Sequence, residues 1–154
     1  MKTIFFLILA LGSAVCVYAE DVAIVVAKSN KLQDVTLAEL YAILHCDKQI
    51  SPSGAKWIVY LRAKKSPEHE VLLKNLFKSS ADALESYYMQ GEFNGSIDPS
   101  PKTVSSAAVV LRNLSANAAG ISYLKASEVT DAVRVLKVNG ALPGEGNYPL
   151  KGEN

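Results

Sequence analysis

Read for apolar and polar positions, the chain opens on an unbroken apolar run, Ile4 to Leu11, behind a single positive charge at Lys2. Small residues follow, and Val17-Tyr18-Ala19 offers a small-x-small cleavage site before Glu20. This pattern predicts a signal peptide over residues 1–19. The run is short for a bilayer, which asks for about 20 apolar residues. Val22 to Ala27 is all apolar and mostly β-branched, as suits a strand buried on both faces of a parallel sheet. Thr36-Leu37-Ala38-Glu39 is a capping box, and Leu37, Leu40, Tyr41 and Leu44 continue it as one helical stripe. Trp57 to Leu61 predicts a second buried strand. Ser66-Pro67 starts a helix with core face Val71, Leu72, Leu76 and Phe77. Ser80 and Asp82 open another, with Leu84, Tyr87 and Tyr88 turned inward. Gly91 to Pro101 reads as a polar loop, and Thr103 as the cap of a helix with stripe Val104, Ala107, Ala108 and Leu111. Gly120 to Leu124 and Ala132 to Val138 read as strands, and 139–154 as an irregular tail. Strands alternating with helices predict an α/β class, a layered sheet with flanking helices.

Composition changes this picture little. Removing 19 of the 154 residues leaves 135, enough for one domain, 20–154. The export segment carries one charge, Lys2, so of 16 basic and 15 acidic residues, 15 and 15 remain. A balanced chain gives no electrostatic case for nucleic acid or for an anionic membrane. Cys46 is then the single cysteine, which cannot close an internal disulfide.

The chemistry is sparse. His45-Cys46-Asp47 places three reactive groups in a row, but neighbours near a helix end diverge, so adjacency is not a triad. With two histidines and one mature cysteine the residues give no metal site and imply no cofactor. No nucleophile has a placed base, so no enzyme is predicted. More coherent is the run Arg62, Lys64, Lys65, Ser66, where a buried strand gives way to a helix. Ligands in such sheets bind beyond the carboxyl ends of strands, and a helix start presents unpaired N–H groups. A guanidinium and a hydroxyl beside them would complete an oxyanion site. By the same rule Ser29 and Asn30, after the first strand, belong near the same rim, and Thr103, Ser105 and Ser106 could add hydroxyls from another helix start. On the motif alone, a Ser66 that merely caps and an Arg62 that merely pairs with a surface carboxylate explain these residues better than an anion does.

The order of landmarks resembles the phosphate-binding protein of bacterial ABC transporters, and more closely its half-size relatives, from about Val22 to Leu150. Val25-Val26-Ala27-Lys28-Ser29-Asn30 resembles the first strand and loop, and Thr36-Leu37-Ala38-Glu39-Leu40 through Leu44 the first helix. Tyr88, Phe93, Gly95 and Pro99 match a later stretch, Asn117 to Leu124 resembles a segment written NPGAIGYV, and Tyr148-Pro149-Leu150 a YPL segment. The resemblance implies a periplasmic-binding-protein-like lobe, exported to the periplasm and not inserted in the membrane, that binds phosphate or a similar oxyanion for an ABC permease. The family's ligand loop reads R-S-D-G-S-G-T. Against it Arg62 and Ser66 match, Lys64 replaces the acid, Lys65 and Pro67 replace the glycines, and Glu68 replaces the threonine. These departures motivate an alternative of a different class: a ligand-less periplasmic interaction or sensing module that keeps the fold and binds an envelope protein.

Overall fold

The computed structural model describes residues 20–152. The signal peptide expected over 1–19 lies outside them. β1 (Val22–Ala27) is buried at all six positions. Its side chains alternate between two cores. Val22, Ile24 and Val26 join one with residues of α1 (Leu37–Leu44), α2 (Pro67–Leu72) and α3 (Ala81–Asn94), and Ala23 and Val25 join the other with Val110 and Leu114 of α4 (Ala107–Ala116). The result is a sheet covered by helices on both faces, the expected class.

With β2 (Asp34–Val35), β3 (Ile58–Arg62), β4 (Lys102–Val104), β5 (Gly120–Lys125), β6 (Val133–Val135) and β7 (Lys137–Val138), the sheet order is β4-β3-β5-β1-β6, while β2 and β7 form a separate parallel pair. β3 runs parallel to β4 and β5, but β1 runs antiparallel to β5 and β6. The parallel setting expected for β1 is therefore corrected. Its two-sided burial comes from helices on both faces, which cover an antiparallel strand equally well.

Local signals held where the partners are close in sequence. The capping box at α1 forms: Glu39 N–H donates to Thr36 Oγ1 at 3.1 Å and Thr36 N–H to Glu39 Oε2 at 3.0 Å. Pro67 opens α2, which runs on as a wider π-helical turn, Leu73–Phe77, and stops at Lys78 with φ +52°. Three expectations shift. Thr103 lies in β4, and Ser106 caps α4 by accepting from Val109 N–H. The strand expected over 132–138 divides at Leu136, a fully buried residue whose N–H donates to the Ile24 carbonyl. α3 continues to Asn94, past Gly91, where the residue pattern predicts the start of a loop.

Gly91 is tolerated there because a neighbour needs the space. A Cβ at Gly91 would stand 2.4 Å from Ile97 Cδ1. Gly→Ala inside a helix ordinarily stabilises by about 1 kcal/mol. Gly91→Ala should instead destabilise, by about 1–3 kcal/mol, through overpacking. Urea unfolding of the variant reads the sign directly.

Among the described residues no helix is long and apolar enough to cross a membrane.

Candidate site at the carboxyl end of the third strand

Arg62 ends β3, and its side chain turns inward rather than to solvent. It is 7 % exposed and its Nε donates to Glu68 Oε1 at 2.6 Å; the Glu68 side chain is 1 % exposed. Arg62 Nη1 also donates to the Val104 carbonyl at 3.3 Å. Burying a guanidinium without a partner is costly, and Glu68 is that partner. The residue sits in the first turn of α2, so the Ser66-Pro67 start that swings the chain back over the sheet also delivers the carboxylate to Arg62.

Several of the amides expected to meet an anion are spent internally. Ser66 N–H donates to the Ala63 carbonyl at 2.8 Å, Pro67 has no N–H, and His69 and Glu70 donate to the Ser66 carbonyl at 3.0 and 3.1 Å. The Ser66 side chain does not cap α2. Ser66 Oγ and Glu68 Oε2 are buried with no hydrogen-bond partner.

Behind the ion pair stands Tyr123 of β5, fully buried. Its hydroxyl accepts from Arg62 N–H at 3.0 Å and lies 2.5 Å from His69 Nδ1. With His69 neutral and its proton on Nε2, the Tyr123 hydroxyl donates its one proton to Nδ1 while accepting from Arg62 N–H, the arrangement that uses both groups fully. Burial drives both groups the same way: it lowers the His69 pKa from 6.5, with Glu68 opposing, and raises that of Tyr123. A lowered histidine means that the unfolded chain binds the proton more readily. Stability is then complete above about pH 6.5 and falls below it, by up to about 1.4 kcal/mol per unit until the folded histidine protonates. Denaturant midpoints between pH 7 and pH 5 should show this decline. His69→Gln, which can still accept from Tyr123 but cannot titrate, should flatten it.

The other residues of the expected site are dispersed. Lys64 is held by exposed carboxylates, Asp82 Oδ1 at 2.5 Å and Glu85 Oε2 at 2.7 Å, whose hydrogen bonds push its pKa up to about 12. Lys65 is exposed. Ser29 and Asn30 are at the opposite rim, because β1 is antiparallel to β5 while β3 is parallel to it. Asn30 is a structural clamp: its Nδ2 donates to the Ala118 carbonyl, its Oδ1 accepts from Leu32 N–H, and Arg134 holds its carbonyl. The length of β5, roughly 17 Å for its six residues, separates that loop from Arg62, so one small anion cannot touch both.

Arg62, Lys64 and Thr103 do share one cleft, of about 290 Å³, with His69, Tyr88, Met89 and Glu92. Thr103 also meets Ser105 in an open depression of about 370 Å³ on the other side of β4. The His45-Cys46-Asp47 run is structural. His45 stacks on Tyr87 at 3.9 Å and pairs with Asp47 at 3.0 Å, while burial, with Asp47, pushes the Cys46 thiol up to about 11. Such a thiol carries little thiolate at neutral pH.

No protein-family pattern and no curated protein sequence matches the chain. Solved structures do. An ABC-type phosphate transport receptor from Vibrio cholerae superposes with a TM-score of 0.70 at 17 % identity, covering 86 % of this chain and 54 % of that one. PstS from Borrelia burgdorferi superposes at 0.68 and 17 %, covering 88 % and 56 %. The chain thus has the fold of the phosphate-binding proteins of ABC transporters and spans about half their length.

Proposed function

We propose that this chain is an exported, single-lobe interaction module of the binding-protein fold, whose oxyanion position is filled by its own Glu68 carboxylate. It works by contacting a protein of the cell envelope rather than by carrying phosphate to a permease. The supporting observation is the buried Arg62–Glu68 pair at 2.6 Å. An incoming phosphate would have to displace Glu68 and leave that carboxylate buried without a charge partner, a cost of several kcal/mol. It would gain few main-chain donors in return, since the Ser66, His69 and Glu70 N–H groups are already bonded and Pro67 has none. Residues 20–152 form one lobe, which by itself meets an anion from one side and limits how much of it can be desolvated.

The competing reading, a phosphate or oxyanion receptor, draws on the fold shared with phosphate transport receptors. Calorimetric titration separates the two. Phosphate and sulfate should give no saturable heat up to about 1 mM, a range that would register a Kd of about 100 μM. One-site binding of either anion that weakens in Arg62→Ala would establish the receptor instead.

A further inference from the structure

We propose that the cleft between α3 and the β3–β4 edge receives a lysine or arginine side chain from a partner protein, flanked in the partner by apolar residues. This rests on the interaction-module reading and gives that module its contact site. The cleft has about 290 Å³, at the small end of ligand pockets and room enough for one long side chain. Its floor is apolar, from Leu61, Leu84 and Tyr88.

The charge around it is the opposite of what an oxyanion needs. Arg62 is neutralised by Glu68. Lys64 faces two carboxylates, Asp82 and Glu85. Glu92 adds a further carboxylate, which accepts from the neutral Ser100 hydroxyl at 3.0 Å. The lining itself balances Arg62 and Lys64 against Glu85 and Glu92, but both cations are already held, Arg62 by Glu68 and Lys64 by Asp82 and Glu85, so among the described residues Glu92 is the lining carboxylate left without a cation, and the imidazole of His69 is neutral. A like-charged anion is repelled, whereas a guanidinium or ammonium entering over the apolar floor meets Glu92 and Glu85 at the rim. Lysine and arginine suit such a place because their stems bury against carbon while the head stays polar.

The apolar part of the match lies on the same helix. Met89 is 64 % exposed and Phe93 is 94 % exposed. They are four residues apart on α3, hence neighbours on one side of it, and Met89 also lines the cleft. The two are half of the four large exposed hydrophobics among the described residues. A partner segment of alternating basic and apolar character would cover both and place its cation in the cleft.

The chain has two methionines, so carbon-13 methyl labelling gives a sparse spectrum in which Met89 is assigned by its loss in Met89→Leu. The probes are acetyl-Leu-Arg-Leu-amide and acetyl-Leu-Glu-Leu-amide. The arginine peptide should move the Met89 methyl signal saturably in the millimolar range. The glutamate peptide should bind at least about fivefold more weakly, and Glu92→Gln should weaken the arginine peptide about two- to fivefold. Raising the salt to about 0.3 M should weaken it as well. No shift with the arginine peptide up to about 10 mM, or an equal response to both peptides, overturns the cleft assignment while leaving the module reading in place. A saturable shift with inorganic phosphate overturns both.

Discussion

Glu68→Thr is expected to cost the folded state about 3–5 kcal/mol, although threonine is the smaller residue and the one the ligand loop of the phosphate-binding family carries there. The cost comes from Arg62. Its guanidinium is held 7 % exposed at the end of β3, and with Glu68 gone it keeps only the 3.3 Å bond from Nη1 to the Val104 carbonyl. Arg62→Met should be similarly harmful, because it strands a carboxylate at 1 % exposure with one oxygen that already lacks a partner. The double variant Arg62→Met/Glu68→Leu removes both charges, and an apolar pair in place of a buried ion pair is often neutral or better. It should be more stable than either single variant, with a coupling of about 1–3 kcal/mol. Denaturant unfolding of the four proteins provides the cycle. Single costs below about 1 kcal/mol would mean that the pair is open to solvent.

Leu150→Ala should be nearly as damaging, about 2–5 kcal/mol, although it lies in the final stretch of the chain where no regular element forms. Leu150 is fully buried, and its carbonyl accepts from Val22 N–H at 3.0 Å. Two residues earlier, the Tyr148 hydroxyl donates to the Val22 carbonyl at 2.5 Å. The tail thus satisfies both main-chain groups of the residue that begins β1, and closes the core over that strand. Lys151→Ala, whose ammonium reaches the Gly146 carbonyl at the surface, should stay within about 0.5 kcal/mol of the parent. Thermal melts that place Leu150→Ala beside Lys151→Ala would contradict a pinned tail.

What could be read from residue types alone tracks how local its causes are. The capping box at Thr36 and Glu39 needs one turn of helix, and it forms as expected. The burial of β1 was written in its six apolar residues, but its direction was not. Val22 pairs with Lys125, and no local pattern says whether a distant strand arrives parallel or antiparallel. That one orientation moved Ser29 and Asn30 to the far rim and dispersed the expected site. Thr103 and Ser106 are both acceptable helix caps, and pairing of Lys102–Val104 with β3 decided in favour of Ser106. Gly91 reads as a breaker until Ile97 is packed over it. At the site, Arg62 was legible as an arginine closing a buried strand. Glu68 carried a signal too, an acid in the first turn of the helix that follows, six residues on. What the sequence lacked was the direction in which α2 folds back, which turns that acid onto the guanidinium instead of into solvent. The acidic, apolar-floored cleft was missed because its residues come from β3, α2, α3 and the segment before β4.

The anion response of Glu68→Thr, beside that of the parent protein, tests the built-in carboxylate most directly. If Glu68 occupies the place of an oxyanion, removing it uncovers Arg62. Phosphate should then raise the unfolding temperature of Glu68→Thr in a saturable way, by an amount equivalent to about 2.7 kcal/mol once phosphate reaches one hundred times its dissociation constant. The parent should not respond at the same concentrations. Saturable stabilisation of the parent by phosphate, equal to or larger than that of Glu68→Thr, would contradict a site closed by its own side chain.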